Sequence, residues 1–238
     1  MRLISWNCKG AFHRKHHLVG ALNPDVMIVP ECKQMNGLPE ELGARPTSSF
    51  HWFGDNPRKG LAVMSFGEYV VERLEAVETP KWVVPLRVIG PQSFILFAVW
   101  TIPTVDGSYV MPLLKAHRLY QQHWSGSEIV WAGDFNASVL FDKPHRRYKF
   151  RDFIAELEAD GIRSLYHDQF NCEHGLEPHK TFFLYHHESR SHHIDYIFAS
   201  SRVRESGYSI TTGSFDDWTQ HSDHIPMTCD LFIGGALH

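Results

Sequence analysis

The sequence predicts an α/β fold in which two packed β-sheets carry helices on their outer faces. Nine short apolar runs, rich in β-branched and aromatic residues and bounded by Gly, Pro or Asp, have the character of strands. Three further stretches have the character of helices. Many strands with few helices fit two sheets packed face to face. Periodicity alone leaves other α/β arrangements open.

The predicted strands are spread along the whole chain, and no repeat, low-complexity tract or obvious linker interrupts them. In order, they cover residues 3–6, 26–29, 61–64, 82–84, 94–100, 129–131, 181–185, 194–199 and 225–232. Each run ends in a turn-forming or polar residue, as strands do.

The three predicted helices each carry a start or stop signal. They cover residues 16–22, 109–124 and 151–160. The first stops before Pro24, because the residue that precedes a proline disfavours helical geometry. The second follows a cap-like segment that ends at Ser108, and the third ends at Gly161.

Composition limits the class of protein. The 238 residues suffice for one large sandwich or two small domains, and 43% hydrophobic with 21% charged residues is ordinary globular composition. No stretch approaches the roughly 18 apolar residues of a membrane span, and the first residues enter a predicted strand without an apolar secretion segment. We therefore expect a cytoplasmic protein with no membrane contact, and no feature indicates an obligate protein partner.

Cysteine and histidine usage indicates no structural metal site. The four cysteines lie far apart without a Cys-x-x-Cys pair and are expected to be reduced, packed thiols: Cys8, Cys32, Cys172 and Cys229. The 17 histidines are unusual, but no His-x-x-x-His pair falls on a predicted helix. Most histidines are therefore expected at the surface or in loops.

The charge is unevenly distributed. A net charge of −4 is no general signature of nucleic-acid binding, but residues 14–17 and 143–151 are basic. A run of charge is commonly only a solvated face, and that alternative stays open for both segments. The second segment, with Arg146 and Arg147, follows Asn136 closely, which favours a loop that faces phosphate.

Polar side chains stand at the ends of several apolar runs. Trp6-Asn7 and Pro30-Glu31 close the first two runs, Gly133-Asp134-Phe135-Asn136 closes a later one, and His221-Ser222-Asp223-His224 precedes the last. Buried strands that deliver carboxylates, amides and a histidine from their ends describe the site of a metal-assisted hydrolase.

Each of these residues also has a structural interpretation. A carboxylate such as Glu31 would be costly to bury unpaired, and a divalent cation resolves that cost, but Glu31 could also be exposed in a turn. Oxygen ligands favour Mg²⁺ or Mn²⁺ over zinc. Asp134 and Asn136 share one face of an extended strand, although the same four residues suit a tight turn.

Together with Asp195 in His193-Ile194-Asp195-Tyr196, these motifs resemble the endonuclease/exonuclease/phosphatase superfamily, the deoxyribonuclease I-like fold. They occur in the family's order and span residues 6 to 224. The resemblance implies a four-layer α/β/β/α sandwich of two mainly antiparallel sheets flanked by helices. It also implies a single domain over residues 1–238, with the active site at one end of the two sheets.

The resemblance assigns roles to the polar residues. It implies that Glu31 is the principal metal ligand and that Asn7 and Asp223 complete the metal shell. It also implies a catalytic group: Asp134 is a candidate general base, Asn136 steadies the phosphoryl oxygens, and Asp195 orients His224. Whether His224 or Asp134 takes the proton of the attacking water stays open.

Five further residues are candidates for substrate contact. Lys9 stands where the apurinic endonuclease branch carries an acid, which argues against a second metal and favours a contact with phosphate. Thr101 stands where many relatives carry a tyrosine or a second histidine; its hydroxyl can donate one hydrogen bond but cannot act as an acid near neutral pH. Phe182, His193 and Trp131 could stack on a base, or could be core residues.

These observations predict a phosphodiesterase that depends on Mg²⁺ or Mn²⁺ and hydrolyses DNA or RNA with an activated water. One alternative is a phosphatase or phosphodiesterase that acts on a small molecule, a lipid headgroup or a protein–DNA adduct, because the family uses one core for all of these. A non-catalytic binding module is a third possibility, against which the intact set of polar residues argues.

Overall fold

Two β-sheets lie face to face, and helices cover both outer faces. The structure, a computed structural model, describes residues 1–35, 41–42, 45–74 and 80–232. The strands are β1 (Arg2–Ser5), β2 (Val26–Cys32), β3 (Glu41–Leu42), β4 (Arg45–Asn56), β5 (Lys59–Phe66), β6 (Val70–Arg73), β7 (Val83–Ile89), β8 (Phe94–Trp100), β9 (Ile129–Asp134), β10 (Arg163–Ser164), β11 (Phe182–Phe183), β12 (Ser191–His192), β13 (Asp195–Ala199), β14 (Tyr208–Thr212) and β15 (Met227–Leu231).

The helices lie between the strands in sequence. They are α1 (Phe12–Gly20), α2 (Met111–His123), α3 (Phe150–Ala159), α4 (Leu165–Phe170), α5 (Ser201–Glu205) and α6 (Phe215–Trp218), with single 3₁₀ turns at Val139–Phe141, Leu184–His186 and Glu188–Arg190. No helix among the described residues combines the length and apolar character that crossing a membrane requires.

Each sheet is mainly antiparallel with one parallel pair inside it. The first sheet has the order β14-β15-β1-β2-β5-β4-β3, and the second has the order β10-β13-β9-β8-β7-β6. The parallel pairs are β1–β2 and β8–β9. Strands β11 and β12 form a separate ribbon of two strands.

Alternate side chains of the central strands fill different layers. In β1, Leu3 points into the core between the sheets, whereas its neighbour Ile4 packs outward under α1. In β9, Val130 faces the core between the sheets and Trp131 packs under α2 and α3. Both faces of these strands are therefore buried, which explains their unbroken apolar sequences. The predicted four-layer sandwich is confirmed.

The structure changes two predicted elements. Helix α1 begins at Phe12, four residues before the predicted start at residue 16, and it therefore includes His13 and His17, which are both exposed and one turn apart. The expectation that no His-x-x-x-His pair lies on a helix is wrong. The strand predicted over residues 181–185 is limited to Phe182–Phe183, because the chain then turns through left-handed residues at Tyr185 and His186.

Several elements escaped sequence analysis for identifiable reasons. Strand β4 mixes polar with aromatic residues and is only partly buried, and β6 and β14 are edge strands. Such strands lack the continuous apolar run that marks a strand buried on both faces. Helices α4, α5 and α6 are too short for a helical period to be visible.

The cysteines and histidines complete the comparison. All four cysteines are free, as expected. Several histidines, however, are buried: His117, His167, His193 and His224. His193 is 1% exposed, and its Nδ1 lies 2.9 Å from the carbonyl oxygen of His179, to which it donates a hydrogen bond. Burial lowers the pKa of His193 to about 4.

The burial of His193 predicts a loss of stability in mild acid. Its folded-state pKa lies below the unfolded value of about 6.5, so the unfolded chain takes up a proton that the folded chain refuses. The free energy of unfolding should fall by about 2 kcal/mol between pH 7 and pH 5 from this group alone. His193→Phe should lose that part of the pH dependence in urea titrations. The exposed His187→Gln serves as control; identical pH dependence in all three proteins would contradict the assignment.

Candidate active site

Polar residues from both sheets meet at one end of the sandwich. Asn7 follows β1, Asp134 ends β9, and Asp195 begins β13. Asp134 and Asp195 are direct partners in the register of β9 and β13. The Nδ2 of Asn7 donates to Oδ2 of Asp134 over 2.9 Å. This hydrogen bond connects the first sheet to the second at the level of the carboxylates.

The segment before β15 brings His224 into this group. Phe182 and His224 form an isolated β-bridge, and the indole Nε1 of Trp6 donates to the carbonyl of His224 over 3.0 Å. The hydroxyl of Ser222 donates to the carbonyl of Asn7 over 2.7 Å. These contacts fix the backbone on both sides of Asp223, so the histidine is held without help from a ligand.

A buried network joins the four side chains. The Nδ1 of His224 lies 2.9 Å from Oδ2 of Asp195, and its Nε2 lies 3.9 Å from Oδ2 of Asp134. The same Nε2 is 3.4 Å from Nδ2 of Asn7. All four residues are buried. The predicted pairing of Asp195 with His224 is thus present in the geometry.

Burial and charge together set the protonation of this network. Burial is the largest influence on Asp134 and raises the pKa of its carboxyl, against the opposing effects of His224 and Asn7. Burial alone would lower the pKa of His224, but the charges of Asp195 and Asp134 outweigh it and raise the pKa to about 9. His224 is therefore a cation at neutral pH, next to a carboxylate with increased basicity.

Asn136 belongs to the same group, and Thr101 supports it. Asn136 donates through Nδ2 to Oδ2 of Asp134 over 2.9 Å and to the carbonyl of Thr101 over 3.0 Å. Thr101 is fully buried, and its hydroxyl donates to the carbonyl of Phe135. The prediction that Thr101 contacts substrate is wrong, because its hydroxyl is already used inside the protein; it positions Asn136 instead.

The motif that contains Asp134 requires glycine. Gly133 has φ +145°, and a Cβ at this position would lie 1.9 Å from the carbonyl oxygen of Val99 in the neighbouring strand. Only glycine allows β8 and β9 to approach this closely. The approach sets the position of Asp134, which is the next residue.

The oxygen ligands expected for a metal lie at the edge of the network. Two residues of β2, Pro30 and Glu31, stand opposite a single residue of β5, which is a β-bulge that redirects Glu31. Glu31 pairs with Lys59 over 3.0 Å, and Asp223 pairs with Lys9 over 2.9 Å. Both lysine side chains are about half exposed.

This donor set fits a hard divalent cation. Carboxylate and amide oxygens from Glu31, Asp223 and Asn7 are the ligand types that Mg²⁺ and Mn²⁺ take, and Mg²⁺ needs only one or two carboxylates because it retains water. Lys59 would move aside for an ion at Glu31. The ligand atoms of Asp134, Asp195 and His224 also lie within 4.8 Å of one another, so this cluster too could hold a metal.

Three residues at or beside the network have left-handed backbone conformations. Lys9, Glu31 and Asn136 have positive φ angles of 49°, 60° and 46° without being glycine. Such conformations are costly and persist where the surrounding structure enforces them, often at functional sites. Contacts with neighbouring residues must therefore hold these three backbone conformations in place.

The aromatic candidates have different outcomes. The ring of Phe182 lies 4.8 Å from the ring of His224, at the site. His193 packs against Tyr166, with ring centroids 4.4 Å apart, and Trp131 stacks on Phe97 at 4.1 Å. Of the two alternatives left open for His193 and Trp131, the structure supports the core position, because both side chains are enclosed and cannot stack on a base.

A cleft of about 340 Å³ adjoins the network at Asn136 and Phe182. It is bordered by aromatic and apolar side chains together with two cations: Tyr109, Val110, Phe141, Tyr148, Ile194, Lys143 and Arg146. Arg146 thus lies at the cleft, whereas the guanidinium of Arg147 lies 5.2 Å above the ring of Tyr148. Sequence analysis missed Tyr109 and Phe141, because exposed aromatics in loops carry no motif.

A second group of possible metal ligands comprises His167, His174 and Glu177. The Nε2 of His167 is 3.1 Å from Oε1 of Glu177, and its Nδ1 is 2.7 Å from the hydroxyl of Ser164. The rings of His167 and His174 are stacked 3.5 Å apart at 25°. Nearly parallel rings do not direct their lone pairs to a common point, so this arrangement is a buried hydrogen-bonded pair and not a preformed metal cage.

Comparison with known proteins identifies the family. A family model described as the Endonuclease/Exonuclease/phosphatase family matches residues 4–224. The chain belongs to this family. Endonuclease/exonuclease/phosphatase proteins are hydrolases, mostly metal-dependent nucleases and phosphatases. The predicted family membership is confirmed. No curated protein sequence matches the chain.

Solved structures of the endonuclease/exonuclease/phosphatase type share the fold. The endonuclease domain of TRAS1, a telomere-specific non-LTR retrotransposon, aligns with a TM-score of 0.68 at 13% identity over 98% of both chains. An AP endonuclease from Archaeoglobus fulgidus gives 0.68 at 18% over 97% of this chain and 99% of that one. The 3' phosphatase NExo from Neisseria, bound to product DNA hairpin, gives 0.65 at 16% with the same coverage.

The network predicts a specific pH response. Asp195→Asn removes the charge that most raises the pKa of His224, so the imidazolium should lose its proton at lower pH. The alkaline limb of kcat/KM should therefore move below about 9. His224→Ala should lower kcat by roughly a hundredfold or more. The two losses should be strongly non-additive, because one residue acts through the other.

The control for this prediction is Asp152→Asn, an exposed change on α3 that should leave the profile unaltered. Losses that simply multiply in the Asp195/His224 double variant would show that the two residues act independently.

Proposed function

We propose that this protein hydrolyses phosphodiester bonds in DNA or RNA with the help of Mg²⁺ or Mn²⁺. The observation that carries the proposal is the buried network of Asp134, His224, Asp195 and Asn7, which a cleft with cationic side chains adjoins at Asn136 and Phe182. A hydrogen-bonded acid and base next to such a cleft suit water attack on a phosphate.

The residues divide the chemistry between them. Asp134 accepts the proton of the attacking water, since burial raises the pKa of its carboxyl toward neutrality and amide donors from Asn7 and Asn136 fix its orientation. His224, kept cationic, donates to the phosphoryl oxygens as negative charge develops there. Asp195 holds the imidazolium by its Nδ1.

A divalent ion would be held by Glu31 and Asn7, where it would offset phosphoryl charge. Glu31 can serve because its only ion-pair partner among the described residues is the half-exposed Lys59. Asn7 is oriented for the role, because its Oδ1 accepts from the backbone N–H of Lys9 over 3.0 Å and its Nδ2 is fixed by Asp134.

The cleft supports a nucleic-acid substrate. Its volume suits a sugar with a base, its lining is partly aromatic, and Lys143 and Arg146 at its border can contact neighbouring phosphates. Asn136 and Phe182 border both cleft and network, so a nucleoside in the cleft would place its phosphate beside His224. A single domain is also part of this proposal, since residues of both sheets form one shared core.

A metal requirement is the first test. Glu31→Gln keeps the size of the side chain but removes its charge, so Mn²⁺ affinity should fall by roughly tenfold or more and turnover with it. Calorimetric titration with Mn²⁺ and assays on single-stranded DNA, duplex DNA and RNA measure both. The exposed Glu72→Gln on β6 is the matched control. Activity that persists in excess chelator would reject a divalent cofactor.

Binding of the nucleic-acid backbone is the second test. Replacing Arg146 and Arg147 with alanine should weaken binding for all sequences and flatten its salt dependence, because fewer counterions are released. Turnover of a small chromogenic phosphodiester should survive. Arg87→Ala with Arg202→Ala is the control pair, since both are exposed near the opposite end of β8.

Binding of DNA and RNA that matches the parent at every salt concentration would mean that segment 143–151 is a solvated face. A small phosphoester would then become the preferred substrate class.

A further inference from the structure

We propose that Lys9 is a resident cation of the site, positioned by Asp223 and His186, and that Asp223 serves as its anchor and not as a ligand of the divalent ion. The inference rests on the proposed function, because it concerns Glu31 and Asp223, the two carboxylates at the edge of the same site where a divalent ion would bind. It revises the expectation that Asp223 completes the metal shell.

Lys9 is held from two sides. Its Nζ lies 2.9 Å from Oδ2 of Asp223 and 3.0 Å from Nε2 of His186. The Nδ1 of His186 lies 2.6 Å from the carbonyl oxygen of Thr219. A carbonyl only accepts, so Nδ1 carries the hydrogen, and Nε2 of the neutral ring presents a lone pair to the ammonium. The imidazole therefore acts as an oriented acceptor for Lys9.

The backbone adopts unfavourable left-handed conformations at Lys9 and at its partner His186. Lys9 has φ 49°, and Tyr185 and His186 have consecutive φ angles of 56° and 59°. Left-handed conformations of residues other than glycine cost free energy and persist only where other contacts enforce them. Here the strained segments are the two that supply the ammonium and its imidazole partner.

Lys59 provides an internal contrast. Its Nζ has one ion-pair partner, Glu31, at 3.0 Å, and otherwise lies 5.4 Å from the ring centroid of Trp100. It is 50% exposed and can swing into solvent when an ion approaches Glu31. Lys9, with two anchors, remains at Asp223. A divalent ion at Asp223 would be repelled by the ammonium at close range.

The ammonium has a donor left for substrate. A lysine head carries three N–H donors, and Asp223 and His186 occupy two of them. The third can donate to a phosphate oxygen, a charge-assisted contact of the stronger kind. Lys9 would then supply, as part of the chain, a further positive charge at the phosphate, in addition to the divalent ion and the imidazolium of His224.

The test is a Mn²⁺ titration by calorimetry and electron paramagnetic resonance on four proteins: the parent, Lys9→Met, Asp223→Asn and the double variant. Removing Lys9 leaves Asp223 without its ion-pair partner among the described residues, so Lys9→Met should bind Mn²⁺ about tenfold more tightly or take up a second ion. The double variant removes a neutral pair and should match the parent within about threefold, as expected of an anchor that is not a ligand.

Each alternative result of the titration would contradict a specific part of the proposal. A double variant that binds at least tenfold more weakly would make Asp223 a ligand, and Lys9→Met with unchanged affinity would remove Lys9 as its counter-cation. A parent that binds no Mn²⁺ would reject the proposed function itself. Lys81→Met, which removes an exposed lysine paired with Asp55, should titrate like the parent.

The positioning role of His186 is tested separately. In His186→Asn, the asparagine can adopt the left-handed backbone conformation. Its side chain is too short to contact both Lys9 and the carbonyl of Thr219, as the imidazole does. The variant should tighten Mn²⁺ binding by less than Lys9→Met does, and it should have no effect once Lys9 is methionine. An equal effect in both backgrounds would mean that His186 acts on the fold and not through Lys9.

Discussion

The structure depends on a buried cluster of charges at the end of the two sheets, in which His224 is hydrogen-bonded to Asp195 and forms a longer ion pair with Asp134. Isolated charges at this depth would be prohibitively costly, and each is tolerated only because the others compensate it. The network therefore forms only if the end of β9, the start of β13 and the segment before β15 lie next to one another. It also places the imidazole of His224 3.9 Å from the carboxylate of Asp134, close enough for both to act on one bound group.

Strands that are buried on both faces hold these strand ends next to one another. The parallel pairs β1–β2 and β8–β9 lie inside their sheets, covered by the shared core on one face and by helices on the other. Their ends are consequently rigid, and the side chains that follow them inherit that rigidity. Two local departures from regular strand geometry position the polar side chains. Gly133 lets β8 and β9 approach closely, and the bulge at Glu31 changes the direction of its carboxylate.

Glu31 and Asp223 lie at the edge of this network, where a divalent ion is proposed to bind. Two carboxylates are each compensated by a lysine, but the lysines are held differently: Lys59 by one contact, Lys9 by two. The cleft that adjoins the network at Asn136 and Phe182 is the proposed site of substrate recognition.

The sequence alone determined the strands and the polar residues beside them, because strands buried on both faces leave continuous apolar runs, with Gly-Asp-Phe-Asn after one run and Ser-Asp-His before another. The order of these motifs indicated the family, and the resemblance to the family implied the four-layer sandwich. The sequence could not determine how deeply a side chain is buried or which distant residues it contacts. Thr101 and His193 look like surface candidates in the sequence, yet packing encloses them; Lys9 meets His186 only because two left-handed residues turn the chain after β11. These outcomes depend on contacts between residues far apart in sequence, which only the tertiary structure brings together.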